Sequence, residues 1–424
     1  MRVLLVGSGG REHALAWKIS QSNLLTSLYA AGGNAGICSV AECIPVNPYD
    51  IEGLLKFALQ EKIDLTVAGP EVPLINGIAD LFSENGIKVF GPSASAARLE
   101  GSKIFAKEFM KRNGIPTAEF ICFSSNQKEE IYSYLKNAEY PVVIKADGPA
   151  AGKGVVIADN HDTAINTVKD YFERKIFGRS GESVVIEQFI RGTEASIFAV
   201  TDGEDYIILP PAQDHKKIGE GETGKNTGGM GSYAPAGKIV TDDVLNKIIE
   251  RIIKPTLVNM NSEGNKYKGC LYCGLMIDQK GDPYVIEYNV RFGDPETQSL
   301  LPLIKSDFLE LLLCSAEGGI RNYKPEYYDK FCCTVVLASS GYPDHYETGK
   351  RVYGLDKVTD DCIVFHAGTV IRDGDIYTSG GRVFGVTGIS STSMNEARET
   401  AYRNSELINF ENKYYRKDIG EKAI

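Results

Sequence analysis

The chain opens on an unbroken apolar run, Val3 to Val6, closed by the glycine turn Gly7-Ser8-Gly9-Gly10 and followed by a stretch with Leu15 and Ile19 at helical spacing. Short apolar runs then keep alternating with amphipathic ones. Leu65 to Ala68 and Lys88 to Phe90 read as further strands, each leading into a Gly-Pro turn, at Gly69-Pro70 and Gly91-Pro92. Alternation of this kind predicts a parallel sheet covered by helices. The next segment places Phe105, Phe109 and Met110 at helical spacing and ends at Asn113-Gly114 and Pro116, as a connecting helix would.

Beyond Glu119 the rhythm changes to strand, helix, strand, glycine loop, strand, helix, strand, with Pro141 to Ile144 and Val184 to Ile186 the most apolar runs. A small α+β module is expected there. Strand patterns resume at Ala195 to Val200, Ile207 to Leu209, Leu271 to Ile277 and Tyr284 to Tyr288, around a polar glycine loop and a helical stretch from Asp242 to Met260. These should form a larger central sheet. The tail is strand-rich, at Thr334 to Ala338, Ile363 to Phe365 and Arg382 to Val386, before a helix near Asn395 to Ile408. The expected fold class is α/β and α+β multidomain. Its divisions are 1–102 (doubly wound parallel-sheet domain), 103–120 (connector), 121–189 (lid), 190–325 (central subdomain) and 326–424 (C-terminal domain).

Composition narrows the functional classes. A 424-residue chain, 43% hydrophobic and 24% charged, can bury several cores and suggests about three domains. No apolar run approaches the roughly 20 residues that a membrane-spanning helix needs, and the opening residues lack the order of a secretory signal. A net charge of −10 argues against a nucleic-acid partner, which demands clustered cations. Nine cysteines are too sparse for a disulfide framework, and their odd number suits a reducing, cytoplasmic setting. Cys270 and Cys273 form a CxxC inside an apolar run, where packing is the expected role.

Four polar segments carry candidate chemistry. Gly7 to Gly10 can be an anion-binding turn or a structural one; Glu12 stands where a dinucleotide fingerprint has its third glycine, which speaks against an oxidoreductase. The loop KADGPAAGKGV, Lys145 to Val155, has a lysine at each end and an amide-rich backbone suited to closing over phosphates, yet it lacks the hydroxyl residue of a P-loop, because Gly154 follows Lys153. In IEYNVRFGDPETQ, Ile286 to Gln298, Glu287 and Asn289 share one strand face and offer the hard oxygen ligands Mg2+ prefers. Arg291 follows on that face and can clamp a carboxylate or a phosphoryl group. The long loop Gln213 to Gly231 either binds something or is a mobile surface segment; Asp214, His215 and Lys216 are its candidates for orienting a substrate. No grouping among the five histidines suggests a nucleophilic triad or a zinc site.

Taken in series, VGSGGREHALAW, GPEVPL, RLEGSKIFAKEFM, KADGPAAGKGV, QDHK, NTGGMG, EYNVRFGDPETQ and GGRVFGVT resemble the phosphoribosylamine–glycine ligase family of the ATP-grasp superfamily, over nearly the whole chain. The resemblance implies an ATP-grasp fold, ATP as co-substrate and Mg2+ as the metal, with Mn2+ as an alternative. It implies that Lys103, Lys145 and Lys153 meet phosphates, that Glu187, Gln188, Phe189 and Ile190 hold adenine largely through backbone groups, and that Glu194 meets the ribose. Glu287 and Asn289 match the metal positions. Gly9, Gly10 and Glu71 should surround 5-phosphoribosylamine, while Asp214, Arg291, Gly293 and Asp294 fall near glycine and the reacting centre, with Arg291, Asp214 and Lys145 catalytic. A monomer acting on small molecules is expected. Two departures stand out: Gly32 where the family commonly has proline, and Pro149 where its lid usually has leucine. Rival readings are another ATP-grasp ligase using bicarbonate or formate, and a nucleotide sensor without turnover.

Overall fold

The computed structural model describes residues 1–150 and 153–424; Ala151 and Gly152, in the middle of the lysine-flanked glycine loop, lie outside the described residues. The first domain is built on five parallel strands, β1 (Arg2–Gly7), β2 (Ser27–Gly32), β3 (Glu42–Ile44), β4 (Leu65–Ala68) and β5 (Lys88–Phe90), in the order β3-β2-β1-β4-β5. Val3, Leu4, Leu5 and Val6 are all fully buried, because helices cover both faces of the sheet. This is why the sequence shows a continuous apolar run there and no alternation. Strand order reverses between β1 and β4, which stay paired as far as Val6 and Ala68, so the chain leaves their carboxyl ends in the adjacent turns Gly7 to Gly10 and Gly69 to Glu71.

The lid is a four-stranded antiparallel sheet of Phe120–Ser124, Ser183–Gln188, Val142–Ala146 and Val155–Ala158, in that spatial order. The central sheet runs Tyr206–Ile208, Thr193–Thr201, Gly269–Ile277, Pro283–Asn289, also antiparallel. Its two faces belong to different cores. Ala195, Ile197 and Ala199 pack with Ile248 and Ile252, whereas Phe198 and Val200 pack with Phe292 and Leu309. Cys270 and Cys273 sit fully buried in this sheet, one on each side, as packing residues. The helical stretch after Thr241 is interrupted by a π turn, Ile249–Ile253, just before Pro255, which has no N–H to give the preceding turn.

Two features differ from expectation. The stretch from Gln213 to Gly231, expected to be a binding loop or a mobile surface segment, is bounded by strands: Gln213–Asp214 and Gly231–Ala234 join Phe331–Ser339, Arg382–Ser390 and Cys362–His366 in one sheet. The C-terminal sheet therefore contains chain from well before residue 326. Cys38 and Cys43 form a disulfide, leaving seven free cysteines. That bridge packs under Gly33, whose φ is +68°; a Cβ there would come within 2.4 Å of the Cys43 sulfur. Gly32 takes φ +96°, which a proline ring cannot adopt, so this turn follows a path that the family's usual proline would forbid. Pro149 is exposed at the lid turn. Among the described residues no helix is long and apolar enough to cross a membrane.

Candidate active site

The lid lysine and the acidic strand meet. Lys145, at the end of Val142–Ala146, donates from Nζ to the carbonyl oxygen of Ile286 at 2.9 Å, one residue before Glu287. Lys103 begins the connecting helix Lys103–Arg112 and donates to the Gly148 carbonyl at 3.1 Å, holding the lid turn against the helix start. Lys216 lies 3.3 Å from Glu287 and 3.6 Å from Glu194. The Lys216 ammonium drives the Glu287 carboxyl down to about 2 against the opposing effect of burial, with Lys145 and Lys103 adding to it. Burial lowers Lys103. Burial also opposes the charge on Lys216, yet Glu287, Glu194 and Asp214 hold it well above its ordinary range. Three lysines from three different elements thus converge on one carboxylate.

Glu287 and Asn289 close the strand Pro283–Asn289 on one face, as their spacing requires. Arg291, just past the strand, donates to Asn289 Oδ1 at 3.0 Å and to Glu100 at 3.0 Å, and its Nε stands 3.4 Å from Glu71. Burial works against the charge on Arg291, but Glu100 and Glu71 raise its pKa above even the usual guanidinium value. Burial pushes Glu100 up to about 7 despite Arg291. The donor set fits a divalent cation in its chemistry: an ionised carboxylate and an amide oxygen, both hard oxygen ligands, lie on one strand face.

Asp214 lines the floor of the same cleft. Its carboxyl is raised by burial and by Glu296, Glu194 and Glu287, with Lys216 opposing. His215, just past the strand Gln213–Asp214, packs against Tyr233 and is not part of the site. Its ring lies 1% exposed, 6.2 Å from Tyr233, and burial with the nearby Arg416 cation lowers it to about 4.

The expected adenine segment, Glu187 to Ile190, ends the lid strand Ser183–Gln188, but the Glu187 side chain does more than its backbone. Its carboxylate is gripped between Lys107 at 2.8 Å and Lys145 at 2.9 Å, all nearly fully buried. Lys107 also donates to Thr117 Oγ1, and Thr117 in turn to the Val285 carbonyl, each at 2.7 Å. A polar chain therefore ties lid, connector and metal strand together. Replacing Lys107 with Met should destabilise the protein by about 3–5 kcal/mol, the cost of breaking a buried ion pair, seen as a lower urea midpoint; an unchanged midpoint would show the pair to be dispensable. Lys153 is placed apart from this cluster, donating to the Pro343 carbonyl at 2.9 Å.

A second cleft, about 310 Å3, opens beyond the turns that follow β1 and β2, between Gly9, Gly10, Asn34, Asp294, Thr369 and Arg382. Arg382 pairs with Asp294 at 2.9 Å, and burial, which would raise Asp294, is outweighed by Arg382 and Arg11. Glu12 accepts the Gly9 N–H at 2.7 Å and the Arg11 Nε at 2.6 Å; a Cβ on Gly69 would come within 2.2 Å of it. This carboxylate fills the space that a dinucleotide's pyrophosphate would need. Sequence reasoning missed Lys107, Glu100, Glu296 and Arg382. Glu100, Lys107 and Glu296 lie inside recognisable motifs, but only the fold gives each a partner.

Family models match almost end to end: the phosphoribosylglycinamide synthetase N domain over residues 1–100, its ATP-grasp (A) domain over 101–297 and its C domain over 332–422. A phosphoribosylamine–glycine ligase of Chlorobaculum tepidum is 50% identical over 432 aligned residues, covering 100% of each chain. The crystal structure of a phosphoribosylamine–glycine ligase from Thermotoga maritima superposes with a TM-score of 0.85 at 37% identity, over 99% of this chain and 100% of that one. A biotin carboxylase from Campylobacter jejuni, 15% identical, shares the fold with a TM-score of 0.76, over 99% of this chain and 94% of that one.

Proposed function

Since the chain belongs to the phosphoribosylglycinamide synthetase family, we propose that it joins glycine to 5-phosphoribosylamine at the expense of ATP, giving glycinamide ribonucleotide, ADP and phosphate. The observation that carries this reading is the convergence of Lys103, Lys145 and Lys216 on Glu287. A carboxylate ready for a divalent ion, ringed by ammonium groups from the lid, the connector and the central loop, is suited to a nucleoside triphosphate and little else.

The glycine carboxylate attacks the γ-phosphorus, the bond to the bridging oxygen of ADP breaks, and glycyl phosphate forms. The ribosylamine nitrogen then attacks the activated carbonyl; phosphate leaves, and the nitrogen gives up a proton as the amide forms. Bound at Glu287 and Asn289, Mg2+, with Mn2+ as an alternative, supplies charge neutralisation at the terminal phosphates. Lys145 and Lys103 hold phosphate oxygens, exchanging their carbonyl partners for stronger charge-assisted bonds, with Lys153 reaching in from the far end of the lid loop. The segment Glu187, Gln188, Phe189 and Ile190 holds adenine, and Glu194 the ribose. Arg291, anchored by Glu71 and Glu100, keeps its fork on the reacting carboxylate and phosphoryl oxygens. Asp214, Gly293 and Asp294 lie beside glycine and the reacting centre, and Gly9, Gly10 and Glu71 beside the ribosylamine. No protein nucleophile is required, and closure of the lid would protect the acyl phosphate from water. The protein works as a cytoplasmic monomer with small molecules as its only partners.

The test is ADP formation with glycine, bicarbonate or formate, each with and without phosphoribosylamine generated in place. Dependence on glycine and the ribosylamine together is expected. A response to bicarbonate or formate instead would transfer the chain to a different ligase reaction, and binding of ATP without turnover would make it a sensor.

A further inference from the structure

Glu296 follows the metal strand by seven residues and is 2% exposed, at the floor of the cleft. Its two oxygens are treated differently. Oε1 accepts the Tyr272 hydroxyl at 2.6 Å and the Ser196 hydroxyl at 3.0 Å, side chains that rise from the two middle strands of the central sheet. Oε2 accepts a hydrogen bond from none of the described residues, and it occupies the space beside Gly293, where a Cβ would stand only 2.5 Å from it. Gly293 is thus the gap through which Glu296 reaches the cleft.

Ser196 exchanges backbone hydrogen bonds with Ala212, two residues before Asp214, so Asp214 stands over the same patch of floor. The nearby cations all have ion-pair partners other than Glu296: Lys216 pairs with Glu287 and Glu194, Arg291 with Glu71 and Glu100, Arg382 with Asp294. Lys216 is shared among Glu287, Glu194 and Asp214, no ion pair among the described residues reaches Glu296, and Glu296 adds to the negative charge that Asp214 already faces. A buried pair of that kind is costly unless a cation joins it. A second metal ion is a poor fit, because Oε1 is already saturated by hydroxyl protons. A primary ammonium fits well: three donors on a compact head, matched by Oε2 and the Asp214 oxygens.

We propose that Glu296, with Asp214, receives the α-ammonium of glycine and so makes that group a requirement of the carboxylate substrate. This rests on the ligase reading and deepens it. The zwitterion is held by its ammonium at the floor, which leaves its carboxylate free to face Arg291 and the phosphoryl group. Gly293 then acts indirectly, by leaving room for Glu296.

The experiment is steady-state ADP formation by Glu296→Gln with glycine and ATP varied separately. The amide keeps an acceptor for Tyr272 and Ser196 and loses only the charge. KM for glycine should rise roughly 10- to 100-fold, the loss expected for a hydrogen bond to a charged group, while KM for ATP stays within about twofold. Inhibition by glycolate, a carboxylate without the ammonium, should be less affected than glycine use. A folded Glu296→Gln protein with an unchanged KM for glycine overturns the proposal, as does a change confined to the Mg2+ requirement. If Glu296→Gln does not fold, Gly293→Ala, which pushes a methyl group into Oε2, takes its place: a raised KM for glycine supports the proposal and an unchanged one overturns it. A wild-type protein indifferent to glycine overturns the ligase reading and this one together.

Discussion

Glu287→Gln should abolish glycine-dependent ADP formation, a fall of at least about 10²-fold, since metal neutralisation of transferring phosphates is worth several kcal/mol. The side chain keeps its shape and loses both its charge and its appeal to a divalent ion, and Lys216, Lys145 and Lys103 lose the carboxylate they share. Near-normal turnover at low Mg2+ would remove Glu287 from the metal site. The same variant carries a signature in acid. The Glu287 carboxyl is depressed from 4.5 to about 2 in the folded protein, so its pairing stabilises the fold fully above about 4.5, and that stabilisation is lost as the pH falls toward 2. Stability of the variant should be flatter than wild type across that window, measured by urea unfolding at a series of pH values.

Arg291→Lys should lower turnover by roughly 10²-fold, the size of effect seen when one fixed donor at a reacting centre is removed. Lysine retains the charge, but Arg291 uses its planar fork to reach Asn289, Glu100 and Glu71 at once. A single ammonium cannot span three such partners. Burial already holds Glu100 at about 7 in spite of Arg291, so weakening that contact should raise it further and move a pH dependence that wild type shows near neutrality to higher pH. A rate within twofold of wild type would place Arg291 outside the reacting centre.

The apolar runs made the fold largely legible. Leu65 to Ala68 and Lys88 to Phe90 coincide with β4 and β5, and the lid's strand and helix alternation is found in the predicted order. Strands that depend on distant partners were not legible. Gln213–Asp214 and Gly231–Ala234 are two and four residues long, polar or glycine-bearing, and are strands only because Phe331–Ser339 completes their sheet. The site shows the same division. Glu287 and Asn289 could be paired from strand spacing, a local rule, and Lys145 from its place in a glycine loop. Lys107 sits on an amphipathic helix among other lysines and reads as a solvated residue until the lid strand brings Glu187 against it. Glu296 lies inside the EYNVRFGDPETQ motif, but no spacing rule singles it out; only the fold shows that Glu296, Thr297 and Gln298 are all buried.

Because one sheet draws strands from residues 213–234 and from beyond 331, synthesis and competence are separated in time. A nascent chain ending before Phe331 already contains each group assigned to the nucleotide. It still lacks the strand that fixes Gly231 to Ala234, and Arg382 has yet to be made. Ribosomes must therefore deliver the final stretch before Gly231 to Ala234 can take its place beside Phe331–Ser339 and before Arg382 can meet Asp294.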